Sequence, residues 1–257
     1  MNTILTIDNG NTNPHVGFFE RSSLTETAPF QDLKSLNLSL KKSCQNNSHV
    51  KAIISDVGNK KKLHEKLSSL SFEIESTFIS EIRESDSFLG MPVFYSETLG
   101  DDRLCQAYLA WKTNPKSSVA IIDCGTFTTI DYITEQGFLG GYIFPGPQTY
   151  LDSFQKGSNL PILELQKSSM EEESLDTKQV PQSTEDAILG SLSVFHQGVL
   201  TFIKEKLTPD KIILTGGKAS NLLPHLLQEE FLKKCLDYRP TFIHEALFQI
   251  LQDYENQ

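Results

Sequence analysis

The chain has 257 residues, enough to bury a sizeable core as one large domain or as two of roughly 100–150 residues each. With 23 Lys and Arg against 33 Asp and Glu the net charge is −10, which excludes a broad electrostatic attraction for nucleic acid or for an anionic membrane. The four cysteines are scattered with no CxxC pair, no basic leader precedes Asp8, and no apolar run approaches the roughly 20 residues of a membrane span, so the expected location is cytoplasmic.

In chain order, 3–7 (TILTI) and 16–19 (VGFF) are apolar, β-rich runs around the breakers Asn9, Gly10, Asn11 and Pro14, and predict a hairpin. The polar stretch 35–49 is ambiguous, 50–55 (VKAIIS) predicts a strand, and 59–70 carries leucines at helical spacing with Lys60–Lys62 on a solvated face. Leu104, Ala107, Tyr108 and Trp111 give 102–113 the i, i+3, i+4, i+7 pattern of an amphipathic helix. A second β-rich block follows at 118–122, 128–133 and 137–143, then an acidic, Pro-containing tract at 167–183 that reads as a loop. Residues 185–206 predict a helix, 211–214 (KIIL) a strand running into Thr215-Gly216-Gly217, and 219–235 and 241–251 two more helices. Strand-rich openings followed by helices suggest two related α/β domains, 1–115 and 116–257.

The two openings share a loop. Residues 4–12 read ILTIDNGNT and residues 119–127 read VAIIDCGTF: a strand ends in Asp, any residue, Gly, then Asn or Thr, with Asp8 aligned to Asp123 and Gly10 to Gly125. Glycine lets the backbone approach a ligand closely, successive N–H groups can cup an anion, and the strand-end Asp can hold a cation that offsets phosphate charge. Such a turn alone is common, and Asp or Asn in it often only satisfies its own backbone. Its recurrence at matching places is what points to phosphate, with the two loops clamping a nucleotide between two domains. The GxxxxGK[ST] and GxGxxG loops are both absent.

Five blocks then stand in order: Asp8-Asn9-Gly10-Asn11-Thr12; Gly100-Asp101-Asp102-Arg103; Asp123-Cys124-Gly125-Thr126-Phe127-Thr128-Thr129-Ile130-Asp131; Gly140-Gly141-Tyr142-Ile143-Phe144-Pro145-Gly146; and Leu214-Thr215-Gly216-Gly217. Together they resemble the type III pantothenate kinases over nearly the whole chain. The resemblance implies an α/β fold of duplicated actin-like domains around a nucleotide cleft, as in the acetate and sugar kinase, heat-shock ATPase and actin superfamily. It implies a homodimer and transfer of the γ-phosphoryl of ATP to pantothenate, the first step of coenzyme A synthesis, with Mg2+ and a monovalent cation, K+ or NH4+. Neither nucleic acid nor membrane enters as a partner. The family also holds regulatory accessory factors, the alternative reading of this chain. Phe127 stands where the family usually has Ala, the segment holding Tyr95 is shorter than in the family, and Ser183-Thr184 replaces a usual Asn-Thr.

By the same resemblance, residues Asp8, Asn9, Gly10, Asn11, Thr12, Asn13, Pro14 and His15 with Thr126 bind the nucleotide, and Asp123 helps bind the monovalent cation. Gly100, Asp101, Asp102, Arg103, Tyr95 and Thr184 bind pantothenate, and Asp102 is the base that takes the proton of the acceptor hydroxyl. Each has a plainer alternative. Asp101 or Asp102 can simply cap the following helix, Arg103 can form a surface ion pair instead of forking onto a carboxylate, and Thr184 can serve as a helix start. The glycines can be turn-formers alone. The six histidines show no ligand spacing, so no zinc and no histidine base is expected.

Overall fold

The computed structural model describes residues 3–10, 12–30, 33–43, 49–57, 60–156, 160–164 and 180–257. Asn11 and most of the acidic tract lie outside them. The chain divides into two compact units: Met1–Pro115 with Ile133–Gly140 and Thr241–Gln257, and Lys116–Tyr132 with Gly141–Pro240. The first unit thus takes two segments that the sequence places in the second half.

In the first unit, β1 (Ile4–Asn9), β2 (His15–Glu20), β3 (Ser23–Pro29), β4 (His49–Asp56) and β5 (Glu73–Phe78) form one sheet in the order β3-β2-β1-β4-β5. The hairpins β1–β2 and β2–β3 are antiparallel, while β4 runs parallel to β1 and β5 to β4. The β2–β3 turn puts Arg21 and Ser22 at positive φ, the backbone that matches the right-handed twist of a two-residue hairpin. Leu5 and Ile7 point to one face, where they meet Leu36 and Leu40 of α1 (Leu33–Ser43) and Leu63 and Leu67 of α2 (Lys60–Ser68). The ambiguous 35–49 stretch is thus in part a helix, and its i, i+4 leucines explain why.

Later in this unit come α3 (Ile79–Ile82), the short pair β6 (Ser87–Phe88) and β7 (Met91–Pro92), and α4 (Asp101–Thr113). In the second unit, β8 (Val119–Cys124), β9 (Phe127–Thr134), β10 (Gly137–Pro145), β11 (Lys211–Thr215) and β12 (Leu236–Tyr238) form the second sheet in the order β10-β9-β8-β11-β12, the winding of the first sheet repeated. The register about the strand-end aspartates repeats as well: Asp8 pairs with Ser55 across β1 and β4, and Asp123 with Thr215 across β8 and β11. Its helices are α5 (Pro147–Ser153), α6 (Thr184–Phe202), α7 (Ala219–Gln228) and α8 (Glu230–Cys235), and α9 (Phe242–Glu255) returns to the first unit.

Ala120 and Ile122, the counterparts of Leu5 and Ile7, pack with Val199, Leu200, Ile203, Leu222 and Leu226. The predicted 219–235 helix is two helices followed by β12. Continued by a π-helical turn at Ile203–Leu207, the α6 segment Thr184–Leu207 contains an 18-residue window of mean hydropathy 1.3 and is, on length and composition alone, long and apolar enough to cross a membrane. That corrects the expectation of no such run. Val199, Leu200 and Ile203 of this segment belong to the core of the second unit.

In the first unit, α9 braces α4. Tyr108 donates to Asp253 at 2.7 Å, Lys112 pairs with the same carboxylate, and His244 Nδ1 lies 2.8 Å from Thr6 Oγ1 on β1. Gly17 makes room for that imidazole, since a Cβ there would stand 2.8 Å from the His244 ring.

Candidate active site

Asp8 is the fifth residue of β1, and the register sets His15 on one side of it and Ser55 on the other. His15 Nε2 stands 3.7 Å from Asp8 Oδ2, and the rings of His15 and His244 are 4.8 Å apart. Ser55 Oγ and His15 Nδ1 are buried without a hydrogen-bond partner among the described residues. Asn9 turns inward and donates from Nδ2 to Asp56 Oδ1 at 2.8 Å, while the Asp56 amide points to Asp101 Oδ2 at 3.5 Å. The ends of β1 and β4 and the start of α4 therefore meet. Thr12 and Asn13 are exposed, and Pro14 is buried with its carbonyl accepting from the Phe30 amide at 2.9 Å.

Gly100 is the N-cap of α4 and provides no side-chain cap, so Asp101 and Asp102 occupy the first turn instead of capping it. The N-cap position is therefore not theirs, and both carboxylates lie near the positive end of the helix, where they can still meet its free N–H groups. Asp102 Oδ1 accepts from the Arg103 amide at 2.8 Å. Burial nevertheless pushes the Asp102 carboxyl above its ordinary pKa, outweighing the opposite pull of Arg103. The buried Cys105 thiol is pushed far up by burial first and then by the charges of Asp101, Asp102 and Asp8.

Arg103 is only 7 % exposed. Its guanidinium carbon lies 5.1 Å from the centre of the Tyr95 ring and 5.9 Å from that of Phe138. The Tyr95 segment is tied down by Arg83, which donates to the Leu99 carbonyl at 2.7 Å. The surface ion pair proposed as the alternative for Arg103 does not fit this burial.

In the second unit, Asp123 is the fifth residue of β8, beside Thr215 of β11. Gly216, at φ 92, closes over it: a Cβ there would stand 2.5 Å from the Cys124 carbonyl and 2.6 Å from its amide. The Lys218 amide donates to the Cys124 carbonyl at 2.8 Å. Thr126 is exposed, and its carbonyl accepts from the Gly146 amide at 2.9 Å and the Thr149 hydroxyl at 2.6 Å. Phe127 is 55 % exposed, so its bulk is not packed into the loop. The cap of α6 is Ser183, whose Oγ accepts from the Asp186 amide at 3.1 Å; Thr184 is the exposed first helical residue and not the start signal itself.

Sequence reasoning missed Asp56, Arg83, Phe138 and Thr149. Asp56 carried a signal, since VKAIISD ends a strand in Asp as the two matched loops do. The others act through contacts distant in the chain.

The family model described as type III pantothenate kinase matches residues 4–205. A type III pantothenate kinase of Flavobacterium psychrophilum is 30 % identical over 252 residues, covering 97 % of this chain and 98 % of that one. Among solved structures, a Campylobacter jejuni protein described as a Baf family transcriptional activator superposes with a TM-score of 0.61 at 22 % identity, over 98 % of this chain and 100 % of that one. The activator of the 2-hydroxyisocaproyl-CoA dehydratase from Clostridium difficile, with bound ADPNP, gives 0.53 at 12 % identity, over 99 % and 97 %. These two speak for the fold alone, which is α/β and actin-like in both halves, as the repeated strand order requires. With a model match over most of its residues and a relative alike from end to end, the chain belongs to the type III pantothenate kinase family.

Proposed function

We propose that this kinase transfers the γ-phosphoryl of ATP to the primary hydroxyl of pantothenate, giving 4'-phosphopantothenate and ADP for coenzyme A synthesis. The observation that carries the reading is the start of α4, where a half-buried carboxylate of raised pKa, Asp102, adjoins the enclosed guanidinium of Arg103. Arg103 binds the carboxylate of pantothenate. Asp102 takes the hydroxyl proton as the alcohol oxygen bonds to the γ-phosphorus and the bond to the departing ADP oxygen breaks. A raised pKa makes a carboxylate the better base. Tyr95 and Gly100 line the acceptor, and Thr184 reaches the acceptor of a second subunit.

Residues Asp8–His15 and Thr126 take the nucleotide. Among the described residues a Cβ at Gly10 would meet only Asp8 Oδ2, at 3.9 Å, and one at Gly125 only the Phe127 carbonyl, at 3.4 Å. Packing against these residues does not require glycine at either place, which leaves close backbone approach to a phosphate as a use for it. Among the described residues no group of three or more His, Cys, Asp or Glu forms a metal cage. That fits Mg2+, which keeps its waters and uses phosphate oxygens with one or two carboxylates. Asp123 would hold K+ or NH4+ with backbone carbonyls, offsetting phosphate charge. The free thiols of Cys105, Cys124 and Cys235 suit the reducing cytoplasm, and the net charge of −10 argues against a nucleic-acid partner. The homodimer is supported by exposed apolar side chains, Val194 at 63 % and Ile143 at 58 %.

The test is ADP release with and without pantothenate, in potassium, ammonium and sodium salts, with the product identified by phosphorus NMR. Pantothenate-dependent turnover supported by potassium or ammonium and poorly by sodium is expected. ADP release indifferent to pantothenate would refute the acceptor. Sedimentation tests the dimer.

A further inference from the structure

Phe138 lies outside the five blocks that carry the family likeness and far in sequence from Tyr95 and Arg103, yet its ring is completely buried against the acceptor arginine. Three features bring it there. Gly137, at φ 118, passes so close to Pro92 that any Cβ would collide with the Pro92 carbonyl. That approach lets Phe138 form a β-bridge with Val93, and its carbonyl accepts from the Phe94 amide at 2.9 Å. The Phe138 ring then stands 5.7 Å from the Tyr95 ring, and both rings lie within cation–π range of the Arg103 guanidinium.

We infer that Phe138 is a positioning residue for the acceptor carboxylate: with Tyr95 it forms an aromatic clamp that fixes the plane and direction of Arg103. A guanidinium binds a carboxylate through a planar fork, so its orientation decides whether two parallel N–H bonds or one can form. An arginine on a flexible stem has many orientations; the Tyr95 hydroxyl restricts them by accepting from Arg103 Nη1 at 3.5 Å, and the Phe138 face restricts them further without taking an N–H donor. The rigid β-bridge anchors the ring on backbone rather than on another side chain. The inference rests on the proposed acceptor, since it assigns Arg103 to the pantothenate carboxylate. The contribution is to acceptor affinity and selectivity and not to the chemical step, because Phe138 touches Arg103 and no reacting atom is assigned to it.

The test compares wild type with Phe138→Leu, which keeps apolar bulk without a π face, and Phe138→Tyr, which keeps the face. Kinetics are measured with pantothenate and with pantothenyl alcohol, which lacks the carboxylate. Arg103 is watched separately by NMR, through its side-chain N–H and CH2 signals, assigned with Arg103→Lys. In wild type the Arg103 signals should be displaced upfield by ring currents, lost in part in Phe138→Leu and kept in Phe138→Tyr. Phe138→Leu should raise the pantothenate KM roughly 2- to 30-fold, the range of one cation–π contact, with the ATP KM and kcat held. Its preference for pantothenate over the alcohol should narrow by the same factor, and Phe138→Tyr should restore it. An unchanged pantothenate KM in folded Phe138→Leu, or an equal rise in the ATP KM, overturns the inference. If Phe138→Leu does not fold, unshifted Arg103 signals in wild type overturn it alone. A wild type that phosphorylates neither acceptor defeats the acceptor reading, while the NMR signals still decide whether the clamp exists.

Discussion

Gly100 and Asp102 share a space that a side chain at residue 100 enters only by displacing the carboxylate: a Cβ there would lie 2.5 Å from Asp102 Oδ1. The backbone at Gly100, φ −66 and ψ 146, is one any residue adopts, so the glycine serves the carboxylate and not the chain. Gly100→Ala should therefore fold, with stability within about 1 kcal/mol of wild type, since losing a glycine N-cap is partly offset by a stiffer unfolded chain. The carboxylate must move by about 1 Å to regain ordinary contact, and displacements of that size at a reacting centre cost on the order of 10²-fold in rate. Turnover and melting temperature of the same variant check this. Full activity would show that the Asp102 position is not critical.

Gly216 presents the opposite case. Its φ of 92 and the Cys124 backbone 2.5 Å from a would-be Cβ leave nothing flexible to yield. Gly216→Ala should lose more than about 2 kcal/mol of stability, from left-handed strain and a backbone clash together. Gly217→Ala is the control, since a Cβ there meets nothing within 4 Å, and it should be near neutral. Denaturant unfolding of both variants makes the comparison.

The pair of half-buried His15 and buried His244 makes stability fall on acidification. Burial, reinforced by His15, lowers the His244 pKa from 6.5 to about 3, and burial lowers that of His15 as well. The unfolded chain binds these protons and the folded chain does not, so stability is full above pH 6.5 and declines as pH falls towards 3. For His244 alone the loss is about 2 kcal/mol by pH 5. His244→Gln, which can still meet Thr6, should flatten the pH dependence of unfolding between pH 7 and 5. An unchanged slope would show that His244 titrates normally.

What the sequence made legible was chemistry confined to a few consecutive residues. The strand-end aspartates Asp8 and Asp123 fall at the same place in β1 and β8, and the 102–113 periodicity became α4 to within one residue. The edge strands β3, β5 and β12 were not legible, because their half-exposed patterns carry too few apolar residues to alternate clearly. Phe138 and His244 were illegible for a different reason. Each gains its meaning from a partner far along the chain, Arg103 and Thr6, and no local pattern encodes that meeting. The assignment of Ile133–Gly140 to the first unit follows from the same long-range docking.

The central claim is that Asp102 is the base, and Asp102→Asn tests it most directly. Because burial raises the folded pKa of Asp102, its contribution to stability is present below the unfolded pKa and lost as pH rises through the folded one. At neutral pH the ionised carboxylate therefore burdens the fold. Its favourable interaction with the start of α4 is worth about 0.3–1 kcal/mol, and the net upward shift shows that burial outweighs it. The deciding measurement is turnover, ATP affinity and melting temperature on one preparation of folded Asp102→Asn at pH 7. The account predicts turnover lower by roughly 10²- to 10⁴-fold, the usual range for loss of a general base, with ATP affinity unchanged and the melting temperature raised. Turnover near that of wild type would contradict it.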